Sequence, residues 1–263
     1  MYTDTDRFRD IASAFIDAGY IVGEGLLVKR GKEASVLRCP AHPSLGVDTV
    51  ALKIYRDQEF RNFRNDARYL HGRVWKRRDV AHLKTSKAHL WVETEYRILC
   101  ELSDAGVRVP RPYTQIGRGI VMEFIGENGE AAVPLKDVRL AAERAPRVFD
   151  EIVEAIDGML GCGVIHGDLS AFNILYDGHH PVIIDFPQSV RVSTHDDPYT
   201  LFRRDVENVQ SYFRRYVRDG PTPRSGTTTS GQATGRPAQL SRYTDPSLTD
   251  RLWERFYLPA FMG

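Results

Sequence analysis

The sequence has few cysteines and no long apolar run. Its 263 residues include only three cysteines, Cys39, Cys100 and Cys162, which are widely spaced and form no metal or redox motif. Free thiols of this kind are typical of a reducing compartment. The N-terminus is charged and lacks the apolar core of a signal sequence, and no run approaches the roughly 18 apolar residues of a membrane span. We therefore expect a cytoplasmic protein without membrane contact.

The chain as a whole also lacks an excess of charge of one sign. Its net charge is +1 at pH 7, which gives no general argument for binding nucleic acid. One segment departs from this balance, because residues 56–87 carry ten Lys or Arg and four Asp or Glu, a net charge of +6. The segment is either a solvated face or a contact for RNA, a ribonucleoprotein or another anion, and the sequence leaves both open.

Apolar periodicity predicts a mixture of strands and helices. A chain of 263 residues with 42% hydrophobic residues can form a normal core, in one two-lobed domain or two small ones. Strands are predicted near residues 21–22, 26–28, 35–37, 50–54 and 119–125, and helices over residues 5–18, 88–102, 143–160 and 199–217.

The composition changes near the C-terminus. Residues 220–246 are rich in Gly, Pro, Ser and Thr, which predicts a flexible linker. A short helix is predicted from Ser247 onward. It either docks on the body of the protein or forms a motif for a partner, and docking is the interpretation we favour. The apolar residues concerned are Leu248, Leu252, Trp253 and Phe256.

The most informative stretch runs from Gly163 to Gln188. Asp168 follows His166-Gly167, Asn173 stands five residues after Asp168, and a short apolar run ends at Asp185. Phosphoryl transfer requires a carboxylate at the hydroxyl nucleophile and two oxygen ligands for the metal on the phosphates. An isolated Asp or Asn is usually a turn former, but this order and spacing match the signature of protein kinases. We therefore predict that Asp168 is catalytic and that Asn173 and Asp185 bind Mg²⁺ or Mn²⁺.

Lys53 lies inside an apolar strand, in the sequence Ala-Leu-Lys-Ile. A lysine there is costly to bury without an anion, although an edge strand could point it at solvent. Protein kinases place their phosphate-binding lysine in such a strand and pair it with a glutamate of the following helix. We therefore predict that Lys53 binds ATP phosphates and has a carboxylate partner, for which Glu93 and Glu95 are the candidates.

Two departures from the protein-kinase signature point to a particular family. Gly167 stands where protein kinases have Arg, and Pro187 stands where they have Gly. The sequences H-G-D-L-S-x-x-N and I-D-F-P-Q resemble those of the RIO family of atypical serine/threonine protein kinases. Aminoglycoside and choline phosphotransferases share H-G-D, but Ser170 and Pro187-Gln188 separate the RIO pattern from theirs. The resemblance covers roughly residues 27–217.

The resemblance implies a phosphate loop in the small lobe. Gly31-Lys32-Glu33-Ala34 matches the family's G-K-E-A loop, so Gly31, Lys32, Glu33 and Ala34 are implied to contact the nucleotide. Lys29-Arg30 precede the loop, at positions where the family usually has small hydroxyl residues. Basic side chains or backbone N–H groups are therefore the alternative phosphate contacts in this chain.

The resemblance also selects the partner of Lys53 and the contacts of the adenine base. Glu95 lies in E-Y-R-I-L, in register with the family's K-E-F-x-x-L, and is therefore the predicted partner of Lys53. The sequence M-E-F-I-G implies that Met122 is the gatekeeper residue. It also implies that the backbones of Glu123 and Ile125 form hydrogen bonds with adenine.

The fold implied by the resemblance is an α+β, two-lobed protein-kinase-like fold with ATP between the lobes. The small lobe is an antiparallel sheet with a helix, and the large lobe is mainly helical. No extended activation segment is expected, because no A-P-E follows Gln188. The implied organisation is an N-terminal helical extension over residues 1–25, a small lobe over 26–125 with the basic loop 56–87 inserted, a large lobe over 126–219, a linker over 220–246 and a C-terminal helix over 247–263.

The function predicted from these features is that of a RIO-type serine/threonine kinase. It would transfer phosphate from ATP with Mg²⁺ or Mn²⁺, phosphorylate itself, hydrolyse ATP, or combine these activities. One alternative is a small-molecule phosphotransferase of the aminoglycoside or choline kinase type. Another is a nucleotide-gated assembly factor that binds RNA or a ribonucleoprotein through residues 56–87, and a protein substrate is a further possible partner.

Overall fold

The first half of the chain forms a five-stranded antiparallel sheet. The computed structural model describes residues 4–56, 83–218 and 241–260. Along the sheet the strand order is β1-β2-β3-β5-β4, with every neighbouring pair antiparallel. The strands are β1 Leu26–Arg30, β2 Ala34–Pro40, β3 Thr49–Tyr55, β4 Pro112–Ile116 and β5 Gly119–Glu123. Four of these strands confirm predicted ones, and β5 ends at Glu123 rather than at residue 125.

A helix covers each face of this sheet. Helix α1 (Asp4–Asp17) packs Phe15 against Leu37 and Leu52, and a side chain at Gly119 would come within 2.5 Å of the Phe15 ring. Helix α2 (Leu83–Asp104) packs Val92 against the opposite face. Both predicted helices are therefore confirmed, although α2 begins five residues earlier than expected.

Most of the predicted basic loop lies outside the described residues. Of residues 56–87, the structure describes Arg56 and the first turn of α2. The prediction that this segment binds an anion or RNA therefore stays a prediction.

The second half of the chain is mainly helical. Helix α3 (Ala145–Gly161) carries the predicted apolar stripe, and Ile152 on it is fully buried. The predicted helix over residues 199–217 is interrupted at Arg214, so that α4 and α5 replace one helix. These helices are α4 Pro198–Phe213 and α5 Arg215–Arg218.

Short strands form small pairings beside these helices. The hairpin of β6 (Gly126–Glu127) and β7 (Glu130–Ala131) follows β5 closely. The strands β8 Val133–Pro134, β10 Ile174–Tyr176 and β11 Pro181–Ile183 form one small sheet, and β9 Val164–Ile165 pairs with β12 Val190–Arg191. The result is a two-lobed α+β fold, as predicted, with residues 124–125 between the two lobes.

The C-terminal helix docks on the large lobe, as predicted. Helix α6 (Leu248–Ala260) buries Leu252, and Trp253 packs its ring against Tyr199 and Phe202 at centroid distances of 5.3 and 5.4 Å. None of the helices in the described ranges is both long and apolar enough to cross a membrane.

The predicted linker over residues 220–246 is too long at its C-terminal end. A turn of 3-10 helix, Arg242–Thr244, places Tyr243 fully buried, with its ring 5.0 Å from that of Phe149. Burial of one aromatic ring contributes about 2 kcal/mol. Tyr243 therefore anchors this turn to the large lobe, although the residues around it are polar. Residues 220–240 of the predicted linker lie outside the described residues.

Candidate active site

Two hairpins bring the ends of the central sequence stretch together. The pairing of β9 with β12 joins the chain before His166 to the chain after Gln188. The pairing of β10 with β11 places Ile174 opposite Ile183, and the Ile184 N–H donates to the Asn173 carbonyl at 2.9 Å. Residues 166–173 and 184–188 therefore form neighbouring loops.

His166 is a buried structural residue at the start of the first loop. Its Nε2 lies 3.0 Å from the Ile184 carbonyl oxygen, and its Nδ1 lies 3.3 Å from the Asp168 backbone N–H. These contacts require a proton on Nε2 and none on Nδ1. Burial lowers the pKa of His166, so the ring stays neutral. It also packs against the Phe186 ring, at a centroid distance of 4.8 Å.

Gly167 occupies a conformation and a space that exclude other residues. Its φ is +79°, in the left-handed region. A Cβ at this position would lie 2.5 Å from the Gln188 carbonyl oxygen. This close approach explains why the Arg of ordinary protein kinases is absent here.

Three polar residues of α4 hold the loop around Asp168. Asp205 accepts hydrogen bonds from the Gly167 N–H at 2.7 Å and from the Leu169 N–H at 3.0 Å. Asn208 donates to the Leu169 carbonyl at 3.0 Å, and Arg204 donates to the Gly167 carbonyl. The backbone on both sides of Asp168 is thus fixed by one helix.

These hydrogen bonds give Asp205 a structural role, and the roles of Arg204 and Asn208 were missed in the sequence. The sequence feature that could have revealed these roles is the run Arg-Asp-x-x-Asn. Residues three and four apart lie on the same face of a helix, so these side chains can contact one loop together. Burial raises the pKa of Asp205 to about 7, with the two N–H donors acting in the opposite direction.

Asn173 is oriented by Asp168. Its Nδ2 donates to the Asp168 backbone carbonyl at 2.9 Å and to the Asp168 Oδ2 at 3.2 Å. Since the amide nitrogen is directed at Asp168, the amide oxygen of Asn173 is left as an acceptor. The same contact fixes the carboxylate of Asp168.

Lys53 bridges the two lobes. Its Nζ lies 2.7 Å from Glu95 Oε1 and 2.8 Å from Asp185 Oδ1. The predicted pair of Lys53 with Glu95 is therefore confirmed, and Glu93 is not the partner. Glu95 Oε1 also accepts a hydrogen bond from the Phe186 N–H at 3.1 Å. Lys53 and Glu95 are 6% and 2% exposed, so removing Lys53 would leave Glu95 as an unpaired buried charge, at a cost of about 3–5 kcal/mol.

The charges of this cluster shift one another's pKa values. Burial opposes the charge on Lys53, but Asp185 and Glu95 outweigh it and hold the pKa of Lys53 above its usual value. The charge of Lys53 holds the pKa of Asp185 below its usual value. Burial raises the pKa of Glu95 against the effect of Lys53. The 2.7 Å contact with the Lys53 ammonium acts in the opposite direction and favours the ionised form of Glu95.

Asp185 has the geometry of a strained functional residue. Its φ is +74°, which is uncommon outside glycine, although Asp tolerates it better than most residues. Its side chain is 39% exposed, and only Oδ1 contacts Lys53. The second carboxylate oxygen therefore stays available at the cleft.

The donor set at the cleft fits a hard divalent cation. The Asn173 amide oxygen and the Asp185 carboxylate are oxygen ligands of the type that Mg²⁺ prefers. Within the described part of the chain, no three His, Cys, Asp or Glu side chains are grouped to hold a metal by themselves. Mg²⁺ is typically held by one or two carboxylates together with substrate phosphates, and these residues match that arrangement.

The segment between the lobes presents specific backbone groups. The Glu123 N–H donates to the Arg111 carbonyl at 2.8 Å, so the carbonyl is the group of Glu123 left for a ligand. The Ile125 carbonyl accepts from the Ala132 N–H at 2.9 Å, which leaves the Ile125 N–H. Met122, on β5, packs against the cores of both lobes. This arrangement is compatible with the roles predicted for Met122, Glu123 and Ile125.

The predicted phosphate loop is the tip of the β1–β2 hairpin. The Gly31 N–H donates to the Ala34 carbonyl at 2.9 Å, with Lys32 and Glu33 between them. A Cβ at Gly31 would lie 2.9 Å from that carbonyl oxygen, so the turn requires glycine. Arg56, the residue after β3, supports the hairpin because its guanidinium donates to Ser35 Oγ at 3.2 Å.

The chain is similar in sequence to known RIO proteins. The family model described as RIO domain matches residues 36–225. The chain is 33% identical over 231 residues to the RIO-type serine/threonine-protein kinase Rio1 of Haloferax volcanii, covering 82% of this chain and 76% of that protein. It is 30% identical over 214 residues to the serine/threonine-protein kinase RIO1 of Homo sapiens, covering 80% of this chain but 36% of that protein.

A solved structure shares the fold. The Rio2 kinase–ADP/Mg²⁺–phosphoaspartate complex from Chaetomium thermophilum superimposes with a TM-score of 0.60 at 20% identity, covering 95% of this chain and 74% of that one. The protein-kinase-like fold predicted from the sequence is thereby confirmed.

Proposed function

The chain belongs to the RIO domain family, and from this we propose that it is a RIO-type ATP-dependent serine/threonine kinase acting with Mg²⁺ or Mn²⁺. The observation that supports the proposal best is the bridge from Lys53 to both Glu95 and Asp185, beside the linked pair of Asp168 and Asn173. These side chains come from both lobes and meet at one cleft. They supply the cation, the metal ligands and the base that phosphoryl transfer requires.

Lys53 binds the phosphates of ATP in this proposal. Its ammonium is already positioned by Glu95, so little conformational entropy is lost when phosphate oxygens approach. Phosphate oxygens would share the ammonium with Asp185, whose carboxylate is then free to turn toward the metal. Mg²⁺ held by Asn173 and Asp185 would neutralise the charge that develops on the transferring phosphoryl group.

Asp168 orients the attacking hydroxyl and accepts its proton. The amide of Asn173 and the hydrogen bonds from α4 fix the position of Asp168 from several sides. A catalytic base contributes when it lies within hydrogen-bond reach of the proton that it accepts. The hydroxyl belongs to a serine or threonine, of a protein substrate or of the chain itself.

The adenine base lies against the segment between the lobes. The Glu123 carbonyl and the Ile125 N–H offer one acceptor and one donor, which matches the amino group and ring nitrogen of adenine. The hairpin tip over Gly31–Ala34 covers the phosphates. These contacts support ATP as the nucleotide.

Two substitutions test the proposal. Asp185→Asn is expected to lower kcat with Mg²⁺ by about a hundredfold or more, because a charged metal ligand is lost. Asp168→Asn is expected to lower kcat by about 10²–10⁴-fold while largely retaining ATP affinity, because its role is at the nucleophile. The measurements are phosphoryl transfer and hydrolysis with labelled ATP, and equilibrium ATP binding.

The matched control is Asp157→Asn, which removes a carboxylate that contacts Arg255 on the surface. It is expected to leave turnover unchanged. Full turnover of Asp185→Asn with Mg²⁺ would contradict the metal assignment, and collapse of ATP binding in Asp168→Asn would contradict a role at the nucleophile.

The other functions considered from the sequence have less support. Kinship with RIO proteins favours a protein kinase over a small-molecule phosphotransferase. Contact with RNA or a ribonucleoprotein depends on residues 56–87, and its support is their net charge of +6. Labelled ATP offered with candidate proteins, antibiotics and ribosomal particles would separate the three functions.

A further inference from the structure

Lys29 shares one face of the small-lobe sheet with Lys53. In the register of the sheet Lys29 lies opposite Val36, and Val36 lies opposite Lys53. Side chains of directly opposed residues project from the same face of a sheet. The three side chains therefore form a row on the face that Lys53 presents to the cleft.

A β-bulge places Lys29 on this face. The register of β1 against β2 shifts between Leu27 and Lys29, so Val28 is an extra residue. Without the bulge, Val28 would stand opposite Val36, and Lys29 would project from the other face, opposite the fully buried Ser35. Bulges often re-aim side chains near functional sites. This bulge turns Lys29 to the face of the sheet that carries Lys53.

Lys29 lies close to Lys53 across the sheet. Lys29 and Lys53 are two strands apart, roughly 10 Å at about 4.8 Å per strand. Two lysine ammonium groups on side chains of this length can therefore contact one polyphosphate.

No carboxylate of the described residues forms a salt bridge with Lys29. The ion pairs in residues 4–56, 83–218 and 241–260 involve other cations, and Lys29 is exposed at the mouth of the cleft. An exposed lysine that faces a metal and phosphate site without a partner of its own is suited to bind an anion there.

We propose that Lys29 binds the terminal phosphates of the nucleoside triphosphate together with Lys53. This inference rests on the proposed function, because it assigns a second cation to the same nucleotide. Lys29 is one of the two basic residues before Gly31, where RIO proteins usually have small hydroxyl residues. Because Lys29 adds a positive charge beside Lys53, the affinity for a nucleotide should depend on its number of phosphates.

The experiment compares Lys29→Gln with Arg147→Gln in the full chain. Arg147 has the same charge and is exposed on α3, where it pairs with Glu151. Equilibrium binding of ATP and of AMP, each with Mg²⁺, is measured at low and high salt. Lys29→Gln is expected to weaken ATP binding by about tenfold, as for the loss of one charge-assisted contact. It is expected to leave AMP binding unchanged and to reduce the salt dependence of ATP binding, whereas Arg147→Gln matches the wild type and Lys29→Arg retains most of the affinity.

Four results would contradict this proposal, and they differ in whether the proposed function also fails. A wild-type protein that fails to bind ATP overturns the proposed function and this inference together. Normal ATP binding by Lys29→Gln overturns the inference alone. Equal losses for ATP and AMP would mean that Lys29 acts through the fold, and equal losses in Arg147→Gln would mean that it acts through general charge. Either result would overturn the inference.

Discussion

At the scale of single residues, Gly167 shows how a backbone requirement shapes the site. Its positive φ excludes most side chains, and the nearby Gln188 carbonyl excludes even a methyl group. Gly178, in the turn between β10 and β11, has a φ of +95° but no atom within 4 Å of its Cβ position. A comparison of substitutions at the two glycines therefore distinguishes the effect of backbone strain from the effect of steric overlap.

We predict that Gly167→Ala destabilises the protein more than Gly178→Ala. The second variant is expected to lose about 1–2 kcal/mol from the left-handed conformation alone. The first is expected to lose a further 1–3 kcal/mol, roughly, from overlap with Gln188. Gly167→Ala should also lower turnover, because Asp168 is displaced. Urea unfolding and labelled-ATP assays measure the two effects, and equal stability of the variants would contradict the overlap.

At the scale of elements, one ion pair ties α2 to the strand that follows Asp185. Arg191 of β12 contacts both carboxylate oxygens of Glu101 on α2, at 2.8 and 2.5 Å, and its guanidinium also donates to the Cys162 carbonyl. The hydrogen bonds from Arg191 lower the pKa of Glu101. Glu95 lies on the same helix. The pair therefore connects the helix that positions Lys53 with the loops around Asp168 and Asp185.

We predict that Arg191→Met lowers kcat by up to about tenfold, since a half-exposed pair contributes about 1 kcal/mol or little more. Arg242→Met is the control, because it breaks the pair with Asp150, which lies away from α2 and is similarly exposed. The double exchange Glu101→Arg with Arg191→Glu should restore much of the loss. Turnover of Arg191→Met equal to that of wild type would show that α2 is held in place by packing alone.

At the scale of the whole molecule, little chain is available to hold a peptide substrate. Residues 186–197 join Asp185 to α4, and this segment contains β12 and a turn of 3-10 helix, Val192–Thr194, with Val192 packed in the core. Ordinary protein kinases present peptides on an extended activation segment that ends at A-P-E. Pro187 also restricts the backbone where those enzymes have a freely pivoting glycine.

We predict that the purified protein hydrolyses ATP or phosphorylates itself more readily than it phosphorylates free peptides. The groups that we propose to bind and cleave ATP come together at the cleft, whereas an open peptide groove is not expected. Phosphate release, self-labelling and phosphorylation of generic peptides are compared at the same Mg²⁺ and ATP concentrations. Peptide phosphorylation well above phosphate release would show that the short segment does not limit substrate access.

Much of the candidate site was predictable from the sequence because its signals are local. The spacing of Asp168, Asn173 and Asp185 is contained in one short stretch, and Lys53 stands out as a charge in an apolar strand. These patterns led to the RIO family and to the two-lobed fold, both of which are confirmed. The docking of α6 also followed from its apolar residues.

Other features were decided only by the tertiary structure, because they depend on contacts between distant parts of the chain. The contact of Lys53 with Asp185 depends on how β3 of the small lobe meets the loop after β11 in the large lobe. The packing of Tyr243 depends on a pocket formed by α3 and α4, and the anchoring of the loop by Arg204 and Asn208 depends on how α4 crosses it. The direction of Lys29 depends on a single bulge in β1, since a shift of one residue moves a side chain to the opposite face of a sheet.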